Sequence, residues 1–560
     1  MPESERFNPL YQQEVAYFSM EFAIHQAFKI YSGGLGFLAG SHMRSAYELK
    51  QNVTGVGILW SYGYYDQLRN EDRTMRAAHI RKHYYFLDDP HVTVTVMISG
   101  KPVLVKVLLL RSELFQSAPM VMLTTDIAEN DHLSRTITQQ LYDSNTETRI
   151  AQEIVLGVGG LKALEALGKE VEICHMNEGH AVPLAFRLYE KYRDVEEVRK
   201  RVVFTTHTPE TAGNEAHNIY LLQKLGFFGE LDLETVREIT GTGSDMFSLT
   251  VAALKLSKIS NAVSKIHAEV ANGMWRDVLG TGEKIIPITN AQNKRYWQDR
   301  GLKRALVENA DYEIVFRKKH LKRMLFNVVA DQTGKMFDPD VLTIVWARRF
   351  AEYKRPGLLK YDYERFLKMV GNKDMPVQII WAGKPYPTDG TAVGIFNELI
   401  HLSHDIENIA VLTGYELELS GILKRGSDIW LNTPRMNREA SGTSGMSASM
   451  NGTIHLSIPD GWHPEFAIHG HNAFTISGCD PTLPLHEQDR LDNKNLMDLL
   501  EEEIIPMYYH DQKRWVSIIK NAMQEIVPYF DSARMAQEYY EKMYAFEPAT
   551  VTSDSASASL

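Results

Sequence analysis

The 560 residues predict an α/β protein made of two doubly wound units that face each other across a cleft. Three observations carry that expectation. The chain is too long for one ordinary hydrophobic core. From about residue 341 onward, short β-branched runs alternate with helix-length amphipathic segments, the pattern of a parallel sheet wound on both faces. Residues of unusual chemistry then cluster directly after those runs, where open parallel sheets bind ligands.

In chain order, "VTVTVMISGKPVLVKVLLL" alternates apolar residues at period two on both sides of "SGK", which predicts a β-hairpin inserted in the first half. "GVGIL", "EICHMN", "RVVFTTHT" and "AVSKIH" supply strands or strand ends of a first Rossmann-like domain, assigned to residues 1–295. A helical stretch beginning "NAQNKRYWQDRGLKRALVENADYE" forms the crossing. A second Rossmann-like domain, residues 296–548, follows as "VLTIVWA", "GLLKYDYERFLKMV", "VQIIWAG", "TAVGIFNELIHLS", "IAVLTG", "ELSGILKRG", "DIWLN" and "TIHLSI". Residues 549–560, small, polar and poor in apolar side chains, are expected to be a disordered tail.

Composition narrows the function. A formal charge of −11, spread along the chain, argues against nucleic acid and anionic membrane as partners, so any anion site must be local. Two cysteines, Cys174 and Cys479, cannot make a disulfide scaffold or a CxxC metal pair, and a reducing compartment fits best. The polar N-terminus has no apolar signal core, and no run reaches the roughly 18 to 20 apolar residues of a membrane span. A cytoplasmic location is therefore expected.

Four motifs carry chemistry. "IYSGGLGFLAGSH" brings Gly33, Gly34 and Gly36 together ahead of a helix, which lets backbone N–H groups approach an anion or a sugar oxygen. "RRFAEYKR" places Arg348, Arg349, Lys354 and Arg355 after a strand, a phosphate receptor with planar forks and a point charge. "VVFTTHTPETAGNE" ends a strand at His207. "REASGTSGMSASMNG" sets Glu439 before a glycine and serine loop whose amides at Ala440, Ser441 and Gly442 can face the cleft, with a helix starting near Thr443. "CHMNEGH" lacks metal-ligand spacing, so no metal is expected.

Together with "VAYFSMEFAIHQAFKIYSGGLGFLAGSHMRSA", "CHMNEGHAVPLAF", "NAVSKIH", "ITNAQNKRYW", "DIWLNTPR" and "PDGW", these stretches resemble the α-glucan phosphorylases of glycogen, starch and maltodextrin metabolism, especially the short bacterial type. The resemblance implies a GT-B fold. It also implies cleavage of an α-1,4-glucan by phosphate to glucose 1-phosphate, with retention. By the same resemblance, Arg349 and Lys354 hold the phosphate and the Gly33 to Gly36 turn covers it. His207 turns its main-chain carbonyl to the developing oxocarbenium ion. Asn290, Glu439, Ala440, Ser441 and Gly442 contact glucose hydroxyls. A homo-oligomer is compatible with this reading.

One position departs from the family. Where the phosphorylases carry the lysine that forms a Schiff base with pyridoxal 5′-phosphate, this chain has Ser447, which has no amine. Thr443 and Ser444 would touch that cofactor if it bound, but covalent attachment is excluded and the cofactor is expected to be absent. The space left by the lysine would suit a nucleotide. Three readings follow: phosphorylase-type glucosyl transfer, a cofactor-independent retaining glucosyltransferase using a nucleotide sugar, and a non-catalytic glucan-binding protein.

Overall fold

The computed structural model describes residues 7–209, 213–280 and 285–545, so the tail expected at 549–560 lies outside it. The chain is α/β, with one mixed and one fully parallel sheet as its main layers. The first has nine strands, in the order 285–287, 259–262, 202–205, 173–177, 15–18, 53–58, 120–124, 101–110, 93–98. Its first seven strands run parallel; the last two form the expected hairpin, pairing Ile98 with Lys101. Ser99 and Gly100, at φ 52° and 72°, make that turn in the left-handed region, which matches the twist of the flanking strands.

The second sheet has six parallel strands, in the order 409–412, 377–382, 342–347, 429–432, 454–457, 474–475. Helices cover both faces of its central strands. Leu342–Ala347 and Val377–Ala382 are therefore buried at every residue, which is why they read as unbroken apolar runs. The helices Arg300–Val307 and Asp311–Thr333 lead from the first sheet to the second.

The chain also returns. After the helix Gln512–Phe530, residues 532–544 lie against the first sheet: Ser532 Oγ is 2.6 Å from Ser45 Oγ, and Tyr544 OH is 2.8 Å from His175 Nδ1. The outgoing and returning segments are joined, because Gln292 N donates to Phe530 O (3.0 Å) and Ser532 N to Gln292 O (3.1 Å). At the other side of the cleft the short hairpin Asp66–Arg69/Met75–Ala78 reaches from the first half onto the second sheet. There Gln67 Nε2 donates to Gly383 O (3.0 Å), Arg69 to Val411 O (2.6 Å) and Met75 N to Asn397 Oδ1 (2.9 Å).

Candidate functional site

In each sheet the strand order reverses direction at one place. In the first sheet it lies between Val15–Phe18 and Ile173–Asn177, and in the second between Leu342–Ala347 and Ile429–Asn432. Loops leaving the carboxyl ends of strands at such a point diverge and open a crevice. Glu21 and Glu178 leave the first, Arg348 and the loop carrying Glu439 the second, and all four line one cleft of about 830 Å³.

On the side of the second sheet, Glu439 is the counterion of two cations. Arg348 donates to Oε2 at 2.8 Å, and Lys354 lies 2.9 Å from Oε2 and 3.2 Å from Oε1. All three are buried side chains. Burial alone would raise the Glu439 carboxyl, but the Arg348 and Lys354 charges more than reverse that and hold it at about 2, so it is ionised. Asp460 fixes the loop from below by accepting from the amides of Arg438 (3.0 Å) and Glu439 (2.9 Å). Further along, Ser264 Oγ donates to Ala440 O and Trp462 Nε1 to Gly442 O. Gly442 needs its missing side chain: its φ is 79°.

Arg349 opens onto the cleft beside Tyr64 and Tyr142, and makes no ion pair with Glu439. Arg355 turns away from the cleft, to Asp489, Asp492 and the carbonyls of Thr433 and Pro434. Arg348, one residue before the sequence's choice, is the more telling cation. Its Nε and Nη1 are buried in the cleft wall without a hydrogen-bond partner, and the same holds for Asn290 Oδ1 and Ser441 Oγ. Buried donors and acceptors left unmade cost about 1–3 kcal/mol each. Arg348, Asn290 and Ser441 all belong to the cleft wall.

On the side of the first sheet, Gly33 and Gly34 line the cleft at the start of the helix Gly34–Glu48. The amides of Ser32 and Gly33 are already taken by Glu21 Oε2, at 2.6 and 3.0 Å, while Tyr142 OH donates to Oε1 at 2.7 Å. The N–H of Gly33 is therefore not available to an anion in this arrangement. Gly36 does not line the cleft at all. A side chain there would meet Glu21 Oε2 and Tyr31 Cβ, each at 2.7 Å, so its glycine serves close packing.

His207 lies in the cleft with its ring committed: Nε2–H donates to Asn177 Oδ1 (2.7 Å), and its amide donates to Glu178. Burial, then the nearby His267 and His180, lower the imidazole to about 3, so it is neutral. Glu178, the acid of "CHMNEGH", is given no role by its sequence motif, yet it stands out in the fold. It adopts φ 71°, rare for a side-chain-bearing residue, at the switch point. Burial pushes its carboxyl up to about 7, opposed by hydrogen bonds from the His207 amide and the Thr208 hydroxyl.

Thr443 and Ser444 line the cleft, and the loop's contribution to the wall ends there. Ser447 is fully buried in the helix Ser444–Ser449, its Oγ donating to Ser444 O at 3.2 Å. Its chain neighbour Met446 and Met450, which follows the helix, join Trp297, Phe37 and Trp462 in one apolar cluster. Ser447 does not line the cleft, so the space expected at the serine does not open onto it. Of the nearby amines, Lys384 is paired with Glu416 at 2.8 Å, and Lys424 is buried with its ammonium 3.8 Å from the Trp297 ring centre.

The fold is α/β, and its cleft sets cations beside polar groups without partners. The family described as carbohydrate phosphorylase matches residues 300–481. Among relatives, an uncharacterized protein of Methanocaldococcus jannaschii is 49% identical over 530 residues, 94% of this chain and 99% of that one. The maltodextrin phosphorylase of Thermococcus litoralis is 32% identical, covering 97% of this chain and 72% of its own length. The glycogen phosphorylase of Aquifex aeolicus is 31% identical, covering 97% and 88%. The chain belongs to the carbohydrate phosphorylase family. Among the described residues, no helix is long and apolar enough to cross a membrane.

Proposed function

We propose that this chain transfers α-glucosyl groups on α-1,4-glucans with retention, phosphate and glucose 1-phosphate being the exchanging partners, on a two-domain GT-B frame. The observation that carries the reading is the charge and hydrogen-bond balance of the cleft. Over the whole lining, Glu21, Asp143, Glu178, Glu215 and Glu439 match Arg149, Arg348, Arg349, Lys354 and Lys384 in number. Beside Glu439, however, the local set is Arg348, Arg349 and Lys354 against that one carboxylate, a local excess of positive charge next to unpartnered groups on Arg348, Asn290 and Ser441. A phosphate dianion next to a glucose ring answers both the charge and the unmade bonds.

The chemistry follows from those groups. Phosphate, gripped by the guanidinium forks, passes its proton to the leaving glucan oxygen as the bond to the anomeric carbon breaks. One phosphate oxygen then bonds to that carbon from the same face. Glu439 and Asn290 fix the hydroxyls of the sugar while charge separates. The His207 imidazole, held by Asn177, keeps the adjoining backbone in place, so that its carbonyl dipole faces the cationic ring.

Pyridoxal phosphate, when bound in this family, supplies a second phosphate as a proton relay. The residues here do not fit its covalent attachment. Ser447 has no amine, Lys384 is spent on Glu416, and Lys424 is absent from the cleft lining. The reading therefore routes no step through it.

The test is calorimetry with maltoheptaose, phosphate, glucose 1-phosphate, UDP-glucose and ADP-glucose, coupled to an assay for phosphate release from glucose 1-phosphate plus maltoheptaose. Binding of glucose 1-phosphate with phosphate release is expected. Binding of a nucleotide sugar alone would replace the donor, and binding of saccharide alone would remove catalysis.

A further inference from the structure

At the end of the cleft away from Glu439 stands a second polar cluster that the transfer reaction does not use. The helix Thr146–Ile154 supplies Glu153 in its last turn. The two-stranded ribbon Ala216–Asn218/Met246–Ser248 supplies Glu215, just before its first strand, and His217 within it. Two residues apart in extended chain, those side chains share a face. One ligand-type atom from each of Glu153, Glu215 and His217 lies within 4.8 Å of the others.

The hydrogen bonding of this cluster is incomplete in a specific way. Both carboxyl oxygens of Glu153, Oε2 of Glu215 and Nε2 of His217 are buried and have no hydrogen-bond partner. Glu153 is 0% exposed. Arg149 engages Glu215 through Oε1 alone, at 2.6 Å, and its Nη2 lies 3.2 Å from His180 Nε2. It leaves the second oxygen of Glu215 and the whole of Glu153 unanswered. Oxygens of both glutamates and a ring nitrogen of His217 converge there in a water-poor spot, with the Arg149 guanidinium beside them.

We propose that Glu153, Glu215 and His217 bind one divalent transition-metal cation. Two carboxylate oxygens and an imidazole nitrogen form a mixed O,O,N set that suits zinc or manganese better than calcium, which prefers all-oxygen shells with more ligands. Three protein ligands leave coordination positions open. Because Glu215 and His217 line the cleft, those positions face it, where an oxygen of a bound ligand can complete the shell. No sequence motif announces the site, since Glu153 and the Glu-x-His pair come from distant segments.

The experiment uses the full chain, stripped with EDTA and titrated with zinc chloride, and separately with manganese chloride, by isothermal calorimetry. Metal content after gel filtration gives the stoichiometry. One cation per chain is expected, with an increase in melting temperature. Glu153→Gln, which keeps the shape and removes the charge, and His217→Ala should each weaken binding by about 100-fold or more. Glucose 1-phosphate binding in the stripped protein reports that the Glu439 end of the cleft is intact. The proposal is overturned if the parent takes up no cation. It is equally overturned if both variants bind as tightly as the parent, or if Glu153→Gln merely raises stability with no metal response, the outcome for two carboxyls that only share a proton.

Discussion

Replacing Glu439 by glutamine keeps the side chain's shape and removes one charge from between two buried cations. In the parent, Arg348 and Lys354 hold the carboxyl at about 2 against an ordinary 4.5. At 1.36 kcal/mol per pH unit, that drop corresponds to about 3 kcal/mol of stabilisation. Breaking a buried ion pair by removing one partner costs a similar amount, about 3–5 kcal/mol. The sign follows from the lowered value: the stabilisation is complete above about pH 4.5 and is lost as pH falls toward 2. Differential scanning calorimetry of Glu439→Gln at pH 7 should therefore show a melting temperature lower by about 2.5 °C, at about 2.1 cal/mol/K of unfolding entropy per residue over 560 residues. The part of the parent's acid destabilisation between pH 4.5 and 2 that belongs to this residue should be missing. Because the variant presents three uncompensated cations, added phosphate should recover more stability in it than in the parent. A variant that melts within about 1 °C of the parent at pH 7, with the same acid limb, would refute the counterion role.

Arg349→Ala removes a cation that shares no bond with Glu439, so phosphate and glucose 1-phosphate affinity should fall by about 100-fold while maltoheptaose affinity changes less than about threefold, by calorimetry. Gly36→Ala should destabilise by about 1–3 kcal/mol in denaturant melts, because the added methyl meets Glu21 and Tyr31, whereas Gly34→Ala, with open space around it, should be close to neutral. Glu178 is raised to about 7, so the folded protein binds its proton more tightly than the unfolded chain and stability should decline as pH rises from about 4.5 to 7. Glu178→Gln should abolish that component of the pH-dependent melting profile; an unchanged slope would contradict the assignment.

The second sheet was legible because its strands are covered on both faces, so "VLTIVWA" and "VQIIWAG" read as apolar runs bounded by turns. Val15–Phe18, the strand at the first sheet's switch point, is equally buried but only four residues long, and it merges in sequence with the buried, largely apolar stretch "SMEFAI" after it, so its end leaves no mark. The neighbours Arg348 and Arg349 pose a different problem. Sequence brings both to the strand's end, but only the turn there decides that Arg348 pairs with Glu439 while Arg349 faces the tyrosines. Gly36 shares a motif with Gly33 and Gly34, yet one helical turn separates lining from packing. Glu178 owes its character to burial and to an unusual backbone angle, neither of which leaves a local trace. Glu153, Glu215 and His217 meet only through tertiary contact.

The paired chain segments at Gln292 and Phe530, on one side, and the hairpin 66–78 latched to Gly383, Val411 and Asn397, on the other, act as two clasps on the same jaw. A wide gape would have to unfasten the hairpin's bonds through Gln67, Arg69 and the Asn397 side chain while twisting two adjacent strands of chain together. Relative movement of the two sheets is accordingly the motion that both clasps oppose.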